Sequence, residues 1–354
     1  MDMFRKKVSF KGMRAALFAC ILTAAMLALA GCAAGSGANG SSSGAAGSSS
    51  SSVEPVTVNV ASLKGPTSIG LASFIDEAKA GDTLNEFNFT ISGTADELLP
   101  NLIQGNTDIA LIPANAAATV YKKTDGAISV IDINTLGVLY VVSGDDSVSS
   151  INDLAGKTVY MTGAGTTPEY VMSYLLKQAG IADSVTLEFK SEAAEVAAVL
   201  AADSSAVGVL PEPYVTSVSM KNAGLAARVS LTDEWDRIQK SSGTSASQLV
   251  TGVTVVRNEF LKDHPEAVAE FVERQAASVE SVNGNPENAG QLVVDAGIMD
   301  NAKAASAAIP RCNLVCLTGS EMQTALSGYL QVLFDQNPAS VGGAIPGDDF
   351  YHVG

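Results

Sequence analysis

Hydrophobic and polar positions beyond the N-terminal region follow two periods, one typical of strands and the other of helices. Residues 87–92 alternate apolar and polar side chains with a period of two, which predicts a half-buried strand. Residues 94–97, Thr-Ala-Asp-Glu, have the capping-box pattern and predict a helix that ends at Gly105, before a buried strand at 108–112. Because Pro100 falls inside that helix and removes a hydrogen bond, we expect a kink or a later start.

The same alternation continues through the middle of the chain. The pattern predicts, in order, a strand at 157–162, a helix at 168–179, a strand at 185–189, a helix at 192–202 and a strand at 206–210. Alternating strands and helices predict an α/β fold, in which mainly parallel sheets are flanked by helices.

Two apolar segments, 136–142 and 249–256, flank this middle block. Each combines an apolar run with a glycine, Gly137 in the first and Gly252 in the second, which suits strands that cross between two lobes. We predict these glycines as hinges. Beyond the second segment the pattern is nearly all helical, apart from a strand at 312–316.

The N-terminal segment has a different composition. Basic residues precede an apolar stretch at 15–30, which is shorter than the ~20 residues that a membrane-spanning helix needs. Residues 29–32, Leu-Ala-Gly-Cys, resemble the lipobox of bacterial lipoproteins, whose cysteine is lipid-modified and becomes the new N-terminus. An ordinary secretory signal with a chance cysteine is the alternative. We predict a lipoprotein signal peptide over 1–31, lipidation at Cys32 and anchoring at the extracytoplasmic face of a bacterial cell membrane.

Residues 32–52 are predicted to form a flexible linker. After Cys32 the segment contains only Ala, Gly and Ser with one Asn, a composition that cannot bury apolar area. Some twenty such residues span on the order of 25 Å, which would hold a folded body clear of a membrane surface.

The remaining 302 residues are long enough for two domains, and they are acidic. They carry 16 basic and 36 acidic side chains, a formal charge of −20, which argues against nucleic acid as a partner. An anionic ligand would therefore have to be held by local geometry. Aromatic residues are few, and we expect the single tryptophan, Trp235, to pack in the core.

Cysteine and histidine give no sign of a metal or cofactor. Cys312 and Cys316 stand four residues apart on a predicted strand, or ~13 Å, which exceeds the ~7 Å limit for a disulfide. We predict two buried free thiols. Neither His264 nor His352 has a cysteine or histidine nearby in sequence, so we expect no metal site and no cofactor.

Five motifs together resemble the substrate-binding lipoproteins of ABC importers, most closely the nitrate, sulfonate, taurine and pyrimidine-precursor group. They occur in order between Val56 and Tyr351, at residues 64–70, 150–159, 163–168, 210–214 and 264–268. The resemblance implies a two-lobed periplasmic-binding-protein fold of type II, with two crossover strands as hinge. Its first lobe would be discontinuous, 53–140 and 253–354, and its second lobe would span 141–252.

Candidate ligand-binding residues lie in loops that join the carboxyl end of a predicted strand to a helix, where ligands of open α/β sheets bind. Such loops can offer free amides at a helix start. Residues 92–94 and 190–192 occupy similar places and rank second. The candidates are Lys64, Gly65, Pro66, Thr67, Ser68, Thr94, Asn115, Gly163, Gly165, Thr166, Thr167, Glu212 and Tyr214.

The glycine loop, residues 162–168, is the strongest of these candidates. Its glycines and threonines can turn several amides and hydroxyls toward one anionic or polar group. The other loops have structural alternatives: Lys64 could be a solvated lysine at a helix entry, and Asn115 could be a cap. Glu212 could accept a hydrogen bond from a ligand, repel unsuitable anions, or be a solvated turn residue.

The leading hypothesis is a solute-binding lipoprotein that closes two lobes around a small polar or anionic organic solute. The resemblance implies a sulfonate, taurine or nitrate-like ligand, an ABC permease with its ATPase as partners, and a monomer; a thiamine-pyrimidine heterocycle is the alternative ligand. Some relatives in the pyrimidine-synthesis branch are enzymes, but they rely on histidine and a cysteine-rich iron motif that this chain lacks. We therefore predict a non-enzyme, with a sensory or adhesive lipoprotein as a further alternative.

Overall fold

The computed structural model describes residues 54–241 and 247–354, and the side chain of Asp96 is outside the description. The predicted signal peptide over 1–31, the lipidation site Cys32 and the linker over 32–52 lie outside the described residues. All elements given below belong to the described ranges.

The first half of the described chain alternates strands with helices, as the periodicity predicts. Its elements are β1 (Thr57–Leu63), α1 (Pro66–Ile69), α2 (Ala72–Ala80), β2 (Glu86–Ser92), α3 (Ala95–Ile103), β3 (Ile109–Pro113), α4 (Ala114–Lys123), β4 (Ile128–Leu136), β5 (Leu139–Ser143), β6 (Thr158–Met161), α5 (Thr167–Gln178) and β7 (Thr186–Phe189).

The second half ends in a nearly all-helical stretch. Its elements are α6 (Ala193–Ala202), β8 (Val207–Pro211), α7 (Tyr214–Lys221), β9 (Ala226–Ser230), α8 (Leu231–Ser241), β10 (Val250–Arg257), α9 (Asn258–Asp263), α10 (Pro265–Gly284), α11 (Pro286–Asp295), α12 (Ala302–Ala308), β11 (Leu314–Leu317) and α13 (Gly319–Gln336).

The strands form two mixed sheets. The six-stranded sheet has the order β11-β4-β10-β3-β1-β2 and the five-stranded sheet the order β7-β6-β8-β5-β9. In the first, β1 runs parallel to β2 and β3, and in the second, β6 runs parallel to β7 and β8. Strands β5, β10 and β11 run antiparallel to their neighbours, so each sheet is mixed rather than mainly parallel. The predicted α/β fold with two helix-flanked sheets is confirmed.

The chain passes between the sheets at the two places that the sequence indicates. It leaves the first sheet after β4 and enters the second at β5, with only Gly137 and Val138 between them. It re-enters the first sheet at β10. We call the first sheet with its helices the first lobe and the second sheet with its helices the second lobe; the exact domain boundaries at 140/141 and 252/253 stay predictions.

One apolar cluster includes residues from both lobes. Trp235 on α8 is fully buried, and its ring lies 4.8 Å from that of Tyr174 and 5.7 Å from that of Tyr329 on α13. The predicted core role of Trp235 is confirmed. Because the same cluster contains Ile133 of β4 and Val141 of β5, the two lobes share part of their core.

One local expectation was wrong. The last strand begins at Leu314 rather than at Cys312, because Asn313 has a φ of 45°, which an extended strand does not allow. Helix α3 begins at Ala95 with Pro100 inside it, which excludes the later start; the kink at Pro100 stays a prediction. The two thiols are free: Cys312 is buried, whereas Cys316 is only partly buried.

Candidate functional site

The first predicted ligand loop joins β1 to α1 and turns its hydroxyl groups back onto its own strand. Gly65 has a φ of 115°, in the region that favours glycine. The Thr67 hydroxyl donates to the Leu63 carbonyl at 3.0 Å, and the Ser68 hydroxyl donates to the same carbonyl at 2.5 Å. Both hydroxyls therefore shape the turn, and Lys64 is the exposed polar side chain that remains.

This first loop lies beside the second-ranked loop that follows β2. The Lys64 amide donates to the Ser92 carbonyl at 2.9 Å. The Lys64 and Thr94 side chains are both exposed, and Pro66 is the first residue of α1. The fold thus brings two of the predicted loops together at one edge of the first sheet.

The glycine loop is closed by hydrogen bonds within itself. Gly163 and Gly165 have φ values of 87° and 70°, which explains the glycines at both positions. The Thr166 hydroxyl donates to the Gly163 carbonyl at 2.7 Å. The Gly165 amide donates to the carboxylate of Glu169, in the first turn of α5. One of the amides that could receive an anionic ligand is therefore occupied by an internal carboxylate.

Thr167, the first residue of α5, faces the buried aromatic cluster. Burial raises the pKa of the Tyr329 phenol well above its usual range, and the Thr167 side chain opposes that rise. The geometry between the two hydroxyls nevertheless falls short of a hydrogen bond. Thr167 therefore lies where the second lobe meets α13.

At three of the strand-to-helix junctions, a glutamate carboxylate accepts a hydrogen bond from a backbone amide of the loop. Glu97 on α3, Glu169 on α5 and Glu195 on α6 each accept a hydrogen bond from the amide four residues earlier in the chain. Glu195 also accepts from the Glu192 amide at 3.2 Å. The sequence at 166–169, Thr-Thr-Pro-Glu, has the capping-box spacing, which indicates that a glutamate accepts a hydrogen bond from a loop amide. Our prediction did not use this pattern.

Asn115 and the glycine loop both reach the segment that follows α13. The Asn115 side-chain amide lies 3.5 Å from the Ser340 carbonyl. The Asn337 side-chain amide donates to the Tyr170 hydroxyl at 2.9 Å, and that hydroxyl donates to the Gly165 carbonyl at 2.9 Å. Residues 337–340 therefore connect one predicted ligand residue of the first lobe with the glycine loop of the second.

Glu212, directly after β8, is a fully buried carboxylate with partners of its own. It accepts hydrogen bonds from the amide and the hydroxyl of Thr216, both at 3.1 Å, and pairs with Arg311 at 2.7 Å. No sequence pattern links Arg311 to Glu212, because 99 positions separate them. Tyr214, by contrast, is 46% exposed at the start of α7. The ligand-binding role of these residues and of the other candidates stays a prediction.

The predicted hinge glycines allow close packing between chain segments. A Cβ atom at Gly137 would overlap the Thr232 hydroxyl and come within 2.7 Å of Leu249, at the start of the second crossover. A Cβ at Gly252 would come within 2.6 Å of Thr67, in the first ligand loop. Neither glycine has a positive φ, so both positions require a small residue, and the hinge role itself stays a prediction.

Metal-ligating side chains do not converge in the described ranges. Within residues 54–241 and 247–354, no group of three or more His, Cys, Asp or Glu side chains could hold a metal ion. No described helix is both long and apolar enough to cross a membrane.

A family model described as NMT1/THI5 like matches residues 102–289, which is more than half of the chain. Comparison with curated protein sequences returned no match.

Solved structures share the fold over most of the chain. An ABC transporter protein from Parabacteroides distasonis is 22% identical, with a TM-score of 0.69, and the match covers 84% of this chain and 98% of that one. The periplasmic aliphatic sulphonate-binding protein SsuA of Escherichia coli is 11% identical, with a TM-score of 0.63, covering 83% of this chain and 92% of that one. The alkanesulfonate-binding SsuA of Xanthomonas axonopodis pv. citri, bound to MOPS, is 12% identical, with a TM-score of 0.58 and coverages of 83% and 96%.

Proposed function

The chain belongs to the NMT1/THI5-like family, and from this premise we propose that it is an extracytoplasmic solute-binding lipoprotein of an ABC importer. It captures a small polar or anionic organic solute between its two lobes and delivers it to a permease. The fold that it shares with an ABC transporter protein and with two sulfonate-binding proteins supports a binding role. Anchoring through Cys32 would keep it next to its transporter.

The pair of adjacent crossovers is the observation that carries this proposal. The first crossover contains Gly137, which packs against Leu249 at the start of the second. Two neighbouring connections between two sheets allow hinge closure, a motion in which one lobe rotates against the other. A ligand that contacts both lobes favours the closed form. The loops at the strand ends of each lobe offer polar groups for such a ligand, and no chemical step is required of the protein.

The carboxylates at the loops bear on the class of solute. Glu169 already occupies the Gly165 amide, so a bare anion at the glycine loop would meet a negative charge. A zwitterion such as taurine, or a neutral heterocycle such as a thiamine-type pyrimidine, avoids that repulsion. We therefore expect these solutes to bind more tightly than nitrate.

The solute can be identified with the full-length protein, which is extracted from membranes in detergent and purified. Mass spectrometry of small molecules released on denaturation names what co-purifies. Unfolding is then followed with taurine, ethanesulfonate, nitrate and an aminopyrimidine. A solute at a hundredfold excess over its Kd should stabilise the protein by about 2.7 kcal/mol. Recovery of a chemically altered solute would refute the binding-only role and favour an enzyme.

Uptake separates import from sensing. Cells that lack the gene should lose accumulation of the radiolabelled solute, and the wild-type gene should restore it. The Cys32→Ser variant tests the anchor: we expect the chain to be released from the membrane fraction and uptake to fall. If the protein bound the solute but deletion left uptake unchanged, delivery to a permease would be refuted.

A further inference from the structure

Arg311 lies three residues before β11 in the first lobe and binds two residues of the second lobe. Its Nε atom pairs with the Glu212 carboxylate at 2.7 Å, and its Nη2 atom donates to the Thr216 hydroxyl at 2.9 Å. The Glu212 side chain is fully buried, whereas that of Arg311 is 41% exposed. A buried carboxylate requires a charged or hydrogen-bonded partner, and here the charged partner comes from the other lobe.

The same short segment also holds the first crossover. The Arg311 carbonyl accepts a hydrogen bond from the Tyr140 hydroxyl at 3.0 Å. The Asn313 carbonyl accepts from the Leu136 amide at 3.0 Å, and the Asn313 side-chain amide donates to the Gly137 carbonyl. Residues 311–313 therefore bond to the chain on both sides of the point where it changes sheets. We call these three residues the crossover clamp.

Glu212 closes a ring around the crossover. Its backbone amide donates to the Val138 carbonyl at 2.9 Å, while its side chain binds Arg311. The crossover is thus bonded to Asn313 from the first lobe and to Glu212 from the second, and the ion pair joins those two sides. Any rotation of one lobe against the other about Gly137 and Val138 must bend or break this ring.

We propose that Arg311 is a positioning residue that, through Glu212, sets the angle between the two lobes and limits their relative motion. The functional meaning rests on the proposed solute binding: a restricted set of lobe angles lowers the cost of reaching the closed form, because fewer arrangements are lost when a ligand binds.

Distances between the lobes test the clamp without any solute. Spin labels at K122C on α4 and D183C between α5 and β7 place one probe on an exposed site of each lobe. In the full chain, Arg311→Met should widen the distribution of label distances and shift its mean. The matched control is Arg237→Met, which removes an arginine–glutamate pair contained within α8 and should leave the distribution unchanged.

Arg311→Met also leaves Glu212 buried without its charged partner, so that variant could fail to fold. The double variant Glu212→Gln with Arg311→Met avoids an unpaired buried charge and should fold, yet still show the wide distribution. A distribution identical to wild type in a folded variant lacking Arg311 would overturn the proposal. Because no solute enters the measurement, this outcome is independent of whether the chain proves to bind solutes.

Discussion

At the scale of single residues, Asp132 is a carboxyl group in the core of the first lobe. One of its oxygens accepts hydrogen bonds from Thr254 and Gln275, both at 2.9 Å, and the other has no partner among the described residues. Burial raises the pKa of Asp132 to about 7, against the opposing effect of these two hydrogen bonds. The folded protein therefore holds this proton to a higher pH than the unfolded chain does.

This shift predicts that stability falls as the pH rises. An unfolded aspartate releases its proton near pH ~4, so the contribution of Asp132 declines between that pH and about 7 and stays low above it. Asp132→Asn should match wild type near pH 4 and be more stable at pH 8, by on the order of 2–4 kcal/mol. Urea unfolding at several pH values measures the difference.

A second carboxylate provides the control with the opposite sign. Hydrogen bonds from Ser147, and then one from Lys157, hold the pKa of Asp145 well below its usual range. Asp145→Asn should therefore lose stability relative to wild type at neutral pH and approach it at low pH. If both variants changed the pH profile in the same direction, the assignment to Asp132 would be wrong.

At the scale of elements, the first crossover depends on a residue without a side chain. Gly137→Ala would drive a Cβ atom into Thr232 and Leu249, so we expect a loss of about 1–3 kcal/mol in the free energy of unfolding. Gly284, at the end of α10, has nothing within 4 Å of a Cβ, and Gly284→Ala should leave stability unchanged or higher. Equal effects of the two substitutions would contradict the packing role of Gly137.

Helix α5 carries the test of solute charge. Glu169→Gln keeps an oxygen that can accept from the Gly165 amide but removes the negative charge. We expect affinity for ethanesulfonate to rise about tenfold and affinity for a neutral pyrimidine to change little. Glu280→Gln removes one negative charge at an exposed position of α10, outside the predicted ligand loops, and is the control for effects of overall charge. A lower affinity for ethanesulfonate in Glu169→Gln would refute the repulsion.

Element patterns explain which features the sequence predicts. Among the elements between β2 and β8, β4 and α4 were not predicted; β2, α3, β3, β6, α5, β7, α6 and β8 follow from local periodicity and caps, which a short window contains. The Glu212–Arg311 pair does not, because tertiary contact alone brings together residues 99 positions apart. The start of β11 was misplaced for a local reason: a period of two does not reveal that Asn313 adopts a positive φ. The capping-box spacing was recognised at Glu97, but the glutamates that accept from loop amides on α5 and α6, Glu169 and Glu195, were not.

At the scale of the whole molecule, the shared core predicts cooperative unfolding. Trp235, the single tryptophan, lies in the second lobe and packs against Tyr329 of α13, within a cluster that also contains β4. Urea transitions followed by tryptophan fluorescence and by far-UV circular dichroism should therefore coincide. A fluorescence transition at clearly lower urea would mean that the second lobe unfolds alone.

Among the described residues, Cys312 and Cys316 are free thiols, and this matters outside the cytoplasm, where the proposed function places the chain. Desolvation raises the pKa of both thiols far above the usual range, in Cys312 with a further contribution from the Glu212 charge. A thiol that stays protonated is a poor nucleophile, so it reacts slowly with disulfides and oxidants. Desolvation of these two thiols would thus slow their oxidation in an oxidising compartment without a disulfide bond.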